Sequence, residues 1–162
     1  YVRLALDTGC RAGEISNLLW ANLDLDEGTG TVECNTQWRS KTKRNRFIAF
    51  TPETAARLKV WRQQRGDCRF VFRDEGERDR GHYRRIKDRF DATVKRSGIR
   101  RCTFHDLRRT VGTRLAAAGI NQKVASVFLG HTDISTTARF YQVVEDDVIK
   151  KTVMKIRGND KK

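Results

Sequence analysis

The sequence lacks the features that define several large classes of protein. No apolar run reaches the roughly 18 residues that a membrane-spanning helix needs. The N-terminus has no secretory leader, and no glycine-rich phosphate loop of the nucleotide-binding kind occurs in the chain. We therefore expect a soluble, cytoplasmic protein that acts on neither a membrane nor a nucleotide cofactor.

Cysteine and histidine are too scattered to form a recognisable metal site. No two cysteines form a close C-x-x-C pair, and the three histidines do not show the spacing of metal ligands. The chain has four cysteines and three histidines, namely Cys10, Cys34, Cys68, Cys102, His82, His105 and His131. We predict free thiols, no bound metal and no cofactor.

Acidic residues are outnumbered by basic ones. The 162 residues include 34 Lys and Arg but only 20 Asp and Glu, which gives a net charge of +14. The basic residues run throughout the chain, so their charge belongs to the folded surface. Such a surface attracts polyanions, because neutralising phosphates releases condensed counterions. The simpler alternative is a basic surface that keeps the protein soluble and has no nucleic-acid role.

The length is that of one ordinary domain, and we expect a single domain over residues 1–162 that ends in a helical tail from about residue 147. The chain begins without methionine and inside an apolar pattern, "YVRLALDTGC". We expect it to be a fragment of a longer protein.

Alternating apolar and polar residues predict a small antiparallel sheet near the N-terminus. The segments "NLDLD" and "TVEC" flank the turn "EGTG", which is typical of a hairpin, and "FIAF" is predicted to be a third strand. A helix over "RAGEISNLLW" is predicted before the sheet, and "FVF" is predicted to be a short extended piece.

Apolar residues at helical spacing dominate the rest of the chain. Thr51 and Pro52 predict the start of a helix that ends near Gly66, and further helices are predicted to end near Gly98, Gly119 and Gly130. The overall expectation is an α+β fold, mainly α-helical, with a three-stranded antiparallel sheet near the N-terminus.

Side chains suited to capping mark where the later helices begin. Thr103 with Asp106 forms the pattern of a capping box, and Asn121 and Ser135 are predicted caps of the next two helices. A separate last helix is predicted over residues 148–156.

The segment "FHDLRRT" places an imidazole and a guanidinium on one face of a helix. His105 and Arg108 stand three residues apart, in the first turns, where free backbone N–H groups and the helix dipole favour an anion. This combination is suited to holding a phosphate. The alternative is an amphipathic helix whose polar face happens to carry these residues.

Two further segments carry candidate polar groups. Arg11 follows a tight turn and has Glu14 three residues on, where it either holds the guanidinium in place or forms an ordinary surface pair. His131 directly follows a glycine that ends a helix, so its ring either points into a cleft or plays a structural role.

The order of these segments resembles the catalytic domain of the tyrosine recombinases, a family that includes phage integrases and Xer-type recombinases. The shared features are "TGCRAGEISNLLW", a basic hairpin with a lysine, "HDLR", "LGH" and a tyrosine about ten residues later. The resemblance runs from residue 1 to about residue 145. In the hairpin "SKTKRNRFIAF" it assigns the catalytic lysine to Lys41, with Lys43 as the alternative, and it places a basic residue at Arg46.

The resemblance implies site-specific DNA recombination. A tyrosine oxygen attacks a phosphodiester and becomes joined to the 3′ phosphate, which leaves a free 5′ hydroxyl. Arg11 and Arg108 would stabilise the phosphate oxygens, His105 would act as general acid or base, and His131 would donate a hydrogen bond. Lys41 would protonate the leaving group, Glu14 would support Arg11, and neither ATP nor a metal is required.

The nucleophile is the point at which the sequence departs from the family pattern. The family tyrosine usually lies nine residues after the "LGH" histidine, which here is Phe140, and Tyr141 is the tenth. Tyr141 is the predicted nucleophile if the chain register slips by one residue. Alternatively Phe140 replaces a tyrosine, or the protein has lost catalysis and only binds DNA.

The resemblance also implies partners and leaves rival functions open. Double-stranded DNA and other protomers in a DNA-bound tetramer are the expected partners, and an N-terminal DNA-binding domain lies outside this chain. Residues 148–156 are expected to dock onto a neighbouring protomer or to fold back on their own domain. A type IB topoisomerase, a non-catalytic DNA-binding protein and a basic RNA-binding domain are the alternatives.

Overall fold

The computed structural model describes residues 1–33, 45–66, 68–73 and 85–159. Within these ranges the helices are α1 (Val2–Thr8), α2 (Ala12–Ser16), α3 (Pro52–Arg65), α4 (Ile86–Ser97), α5 (Phe104–Ala117), α6 (Gln122–Leu129) and α7 (Ser135–Asn159). The strands are β1 (Leu23–Asp24), β2 (Thr29–Val32) and β3 (Arg46–Ala49). The predicted mainly helical α+β fold is confirmed.

The three strands form one antiparallel sheet in the order β1-β2-β3. Gly30 in the middle strand pairs with Leu23 on one side and with Ile48 on the other. Ile48 and Val32 are buried, whereas Phe47 is 63% exposed, as the alternation of a half-buried strand requires. The predicted hairpin and third strand are both confirmed.

The main core lies where α1, the sheet and helices α3, α4 and α5 meet. Phe90 and Phe104 contact edge to face with ring centroids 5.4 Å apart, and Tyr1 stacks on the other side of Phe104 at 6.2 Å. Burial of these aromatic rings, with Leu4, Ile15 and their neighbours, supplies the hydrophobic free energy of folding. The core therefore fixes α1 and α5 against each other; α5 carries His105 and Arg108, and Arg11 stands just after the end of α1.

The helix predicted over "RAGEISNLLW" was wrong beyond Ser16. Helix α2 ends there, Leu19 forms an isolated antiparallel bridge with Phe70, and a single 3₁₀ turn follows over Trp20–Asn22. The backbone N–H of Trp20 donates to the Arg69 carbonyl at 3.1 Å, and that of Val71 donates to the Leu18 carbonyl at 2.9 Å. Tertiary pairing with the predicted extended piece "FVF" therefore overrides the local helical pattern.

The cap predictions hold for three helices and fail for the last. Thr51 and Asn121 accept hydrogen bonds from the first turns of α3 and α6, and Asp106 accepts from the backbone N–H of Thr103 at 2.8 Å. Ser135 is not a cap, because it is already helical and its N–H donates to the carboxylate of Asp133 at 2.8 Å.

The two predicted C-terminal helices are one helix. Helix α7 runs continuously over 25 residues from Ser135 to Asn159. The sequence has neither glycine nor proline between Ser135 and Arg157, so nothing in it ends the helix near residue 147. Helix α7 packs against α5 and α6, and among the described helices none has the length and apolarity needed to span a membrane.

A substitution in the turn between α1 and α2 tests how closely this turn packs against α6. Gly9 has φ of +63°, and a Cβ there would lie 2.6 Å from a side-chain carbon of Leu129 on α6. We expect Gly9→Ala to lower the free energy of unfolding by about 3 kcal/mol, through backbone strain and overpacking together. The measurement is urea denaturation followed by circular dichroism.

Gly98 provides the matched control. Its φ is +66°, but no atom lies within 4 Å of the added carbon, so Gly98→Ala carries backbone strain alone. We expect a loss of about 1 kcal/mol. Equal losses at both positions would contradict the close packing of the α1–α2 turn on α6.

Candidate active site

The site is built around a buried arginine on α5. The side chain of Arg108 is 2% exposed, and its Nη1 donates to the carbonyl of Gly9 at 2.7 Å. Its Nη2 is buried and has no hydrogen-bond partner among the described residues. A buried donor without an acceptor costs about 1–3 kcal/mol, and a site that binds an anion removes that cost. Burial, followed by the charge of Arg11, lowers the pKa of Arg108 to about 10, so it stays protonated at pH 7.

Arg11 is held beside it by Glu14. Arg11 is the N-cap residue of α2, and its Nη1 donates to Oε1 of Glu14 at 3.0 Å. Its backbone N–H donates to Oε2 of the same carboxylate at 2.8 Å, and its Nη2 reaches the carbonyl of Gly130 at 3.3 Å. Glu14 is therefore a buried support of Arg11, because its side chain is only 3% exposed.

The ionised state of Glu14 depends on its cationic neighbours. Burial alone would raise the pKa of this carboxyl, but the charge of Arg46 and the hydrogen bonds from Arg11 and Arg46 hold it below its ordinary value. The carboxylate is thus negative at neutral pH. It fixes the position of the guanidinium groups around it.

His131 joins the site from the end of α6. Gly130 ends that helix in the left-handed conformation, and the next residue turns its ring towards the arginines. Its Nδ1 lies 2.7 Å from the hydroxyl of the fully buried Thr137. Burial first, and then the charges of Arg108 and Arg11, lower the pKa of His131 to about 4. With the proton on Nε2, the Thr137 hydroxyl donates to Nδ1 and Nε2–H is left as a donor.

His105 lies at the more exposed edge of the same cluster. It stands in the first turn of α5, one turn before Arg108. Partial burial, followed by the charge of Arg108, lowers its pKa, so a large neutral fraction is present at pH 7. A neutral imidazole at this position can accept a proton.

One predicted site residue lies outside the described part of the chain, and another faces away from this cluster. Lys41, with its alternative Lys43, lies outside the described residues. Tyr141 faces elsewhere, because its hydroxyl donates to the carbonyl of Ile120 in the turn between α5 and α6. Partial burial raises its pKa, which disfavours the phenolate in this position.

Phe140 occupies the place beside the cluster instead. Its ring stacks on that of His131 with centroids 6.3 Å apart and planes 28° apart. A Cβ at Gly112 of α5 would lie 2.5 Å from the Phe140 ring, so the glycine makes room for it. In this conformation position 140, rather than position 141, faces the histidine.

Sequence reasoning missed the importance of Arg46. Its side chain is 8% exposed and donates to Oε2 of Glu14 at 2.7 Å. The available signal was the alternation of "RFIA": Ile48 faces the core, so the residue two before it faces the same way. A charged residue on the buried face of a strand requires specific partners.

The cluster is suited to binding a phosphate diester. The guanidinium groups of Arg11 and Arg108 and the imidazole of His131 interact electrostatically beside a buried N–H group that has no acceptor among the described residues, and bidentate guanidinium bonds match phosphate geometry. The described residues contain no group of acidic, cysteine or histidine side chains that could hold a metal ion.

The electrostatics of His131 give a direct test. Its imidazole should titrate near pH 4 in the folded chain, compared with about 6.5 in an unfolded one. Because the unfolded chain takes up this proton first, the stability contributed by a neutral His131 is present above about pH 6.5 and is lost as the pH falls towards 4. Arg11→Gln should raise the pKa, since it removes a neighbouring positive charge.

The measurement is a pH titration of the His131 ring carbon signals by NMR. A peptide with the sequence of residues 126–137 serves as the control with an ordinary pKa. A value near 6.5 in the folded protein would contradict the placement of the ring among the arginines.

Comparison with known proteins agrees with this geometry. The chain is 32% identical over 145 residues to a putative integrase/recombinase of Sinorhizobium fredii, covering 85% of this chain and 42% of the relative. It is 31% identical over 149 residues to the tyrosine recombinase XerA of Saccharolobus solfataricus, covering 91% and 46%. The chain thus spans less than half the length of these relatives.

A solved structure shows the same fold. A tyrosine-to-phenylalanine variant of the Tn1549 transposon integrase, in complex with transposon right end DNA, superposes with a TM-score of 0.73 at 22% identity, over 94% of this chain and 57% of that one. The model of the phage integrase family matches residues 1–147. The protein, with its buried Arg108 beside Arg11 and His131, therefore belongs to the phage integrase family.

Proposed function

We propose that this chain is the catalytic domain of a site-specific DNA recombinase that cleaves and rejoins strands through a 3′-phosphotyrosyl intermediate. The observation that carries the proposal is the buried Nη2 of Arg108, which has no partner in the described part of the chain and shares its site with Arg11 and a neutral His131. This arrangement is preorganised for the negative charge that grows on phosphate oxygens in the transition state.

The roles follow from the geometry of each side chain. Arg108 and Arg11 bind the non-bridging oxygens, and Nε2–H of His131 donates to one of them. His105, partly exposed and with a lowered pKa, takes the proton of the attacking tyrosine. Lys41, assigned by resemblance, protonates the 5′ oxygen as it leaves.

Position 140 is the proposed nucleophile position of the site. This chain carries phenylalanine there, which has no attacking oxygen, so we propose that cleavage requires a tyrosine at this position. A side chain there stacks on His131, whereas the Tyr141 hydroxyl is bound to the Ile120 carbonyl. Successive residues of a helix differ by about 100° in direction, so Tyr141 would enter the site only if the start of α7 rotated by that amount. The earlier prediction of Tyr141 as the nucleophile therefore needs a different conformation of α7.

The proposed partner is double-stranded DNA, with further protomers in a DNA-bound tetramer. The net charge of +14 supports a polyanionic partner, and the related Tn1549 integrase structure contains transposon DNA. We propose a cytoplasmic, DNA-associated location on the same grounds.

The test uses a pool of nicked DNA duplexes with a randomised core. Attack near the nick releases a short fragment, so the protein stays covalently joined to the DNA and is recovered after denaturation. We expect Phe140→Tyr to trap at least about 100-fold more DNA than the unmodified chain, since misplacement by about 1 Å costs roughly that factor. Mass spectrometry of the trapped peptide should place the adduct on residue 140.

Two further variants and a supercoil-relaxation assay decide between the alternatives. Adding Tyr141→Phe to Phe140→Tyr should change little, whereas adding Arg108→Ala should lower trapping about 100-fold or more. An adduct on Tyr141 would overturn the assignment of position 140. No adduct from either chain would contradict strand cleavage and favour a DNA-binding protein, and supercoil relaxation without site preference would favour a topoisomerase.

A further inference from the structure

Arg46 is a buried cation to which the proposed chemistry assigns no role. It is the first residue of β3, and its neighbour Phe47 is 63% exposed. Strand alternation therefore turns the arginine inward, where only 8% of it remains exposed. A guanidinium is rarely buried to this extent without partners that hold it in one place.

Its partners come from three separate parts of the chain. Nη1 donates to the carbonyls of Phe128 at 2.6 Å and Thr8 at 3.2 Å. Nη2 donates to Oε2 of Glu14 at 2.7 Å and lies 2.9 Å from the sulfur of Cys10. One side chain thus joins the end of α1, the start of α2 and the end of α6 to the sheet.

The hydrogen bond from Arg46 to Glu14 also constrains the position of Arg11. The same carboxylate accepts from Nη1 of Arg11 through Oε1 and from Arg46 through Oε2. Each oxygen is therefore engaged by a different guanidinium, which fixes the carboxylate plane. Glu14 is the side-chain partner of Arg11. When its carboxylate is held in one orientation, the guanidinium of Arg11 is held as well.

A second set of contacts reaches His131. The carbonyl of Phe128 lies three residues before this histidine, and a Cβ at Gly130 would be only 2.5 Å from Cδ of Arg46. The stem of Arg46 thus packs directly on the turn that aims the imidazole. Arg11 contacts the same turn through the Gly130 carbonyl at 3.3 Å.

The flat, five-donor shape of arginine suits this junction. Four acceptors surround its two terminal nitrogens, whereas its buried Nε has no partner among the described residues. A lysine ammonium, with three donors on a flexible stem, cannot reproduce the four terminal contacts. At 8% exposure the group presents almost no surface to a DNA backbone. Its effect must therefore pass through the residues that it holds.

We propose that Arg46 is a positioning residue, which sets Arg11 through Glu14 and His131 through the α6 turn so that both address one phosphate. The inference deepens the proposed function and rests on it for the reaction affected. The network of contacts stands independently of the reaction.

The first experiment follows the network itself by NMR. Arg46→Met and Arg46→Lys should both shift the Nε–H signal of Arg11 and the ring signals of His131. Arg57→Met is the matched control, because Arg57 is an exposed arginine on α3 whose ion-pair nitrogen lies 3.5 Å from Glu53. The control should leave those signals in place.

The second experiment measures trapping rates on a DNA duplex recovered from the trapped fraction of the randomised pool, with every variant made in the Phe140→Tyr chain. Arg46→Met and Arg46→Lys should each trap DNA about 100-fold more slowly, while the affinity for the duplex changes less than threefold. Guanidinium ion at millimolar concentration should restore at least tenfold to Arg46→Ala, in comparison with equal sodium chloride. Equal recovery in sodium chloride would contradict a specific role for the guanidinium group.

The two experiments separate the two proposals. Arg46→Lys with the rate and signals of its parent would overturn the positioning role. Unchanged Arg11 and His131 signals in a folded Arg46→Met chain would also overturn it. If Arg46→Met does not fold, the charge-conserving lysine variant decides. If the Phe140→Tyr chain traps no DNA, the proposed function fails and the NMR comparison alone decides the role of Arg46.

Discussion

The shared carboxylate of Glu14 is the contact on which the rest of the site depends. It is 3% exposed, and its two oxygens engage Arg11 and Arg46 while Arg108 lies close enough to interact with it electrostatically. One buried negative charge therefore stands among three guanidinium groups. The remaining positive charge is met by backbone carbonyls, which are weaker partners than an anion. Clustering these positive charges lowers the stability of the fold, but it makes the site complementary to a phosphate before the phosphate binds.

Local signals in the sequence predicted much of the fold. Thr51 with Pro52, Asn121, and Thr103 with Asp106 mark helix starts because a cap acts within three residues of its own position. The order of Arg11, "HDLR" and His131 likewise indicated the site, since each segment is short and its chemistry is carried by one or two side chains.

Long-range contacts account for what sequence analysis missed. Arg46 meets the carbonyl of Phe128, 82 residues away, and no local pattern encodes that bond. The bridge between Leu19 and Phe70 shortens α2 for the same reason. The direction of position 140 depends on how α7 lies against Gly112 of α5, and helical periodicity alone gives only the angle between neighbouring residues.

Because α7 is one continuous helix, position 140 is connected directly to the C-terminal end of that helix. Nineteen residues of unbroken helix separate position 140 from the end at Asn159, a length of about 28 Å at about 1.5 Å per residue. A helix without a hinge passes rotation along its axis, so a twist applied at its far end turns residues 140 and 141 together. Exchanging which of these two residues faces His131 would rotate α7 about its axis, and it would require the Phe140 ring to leave Gly112 and the Tyr141 hydroxyl to leave the Ile120 carbonyl.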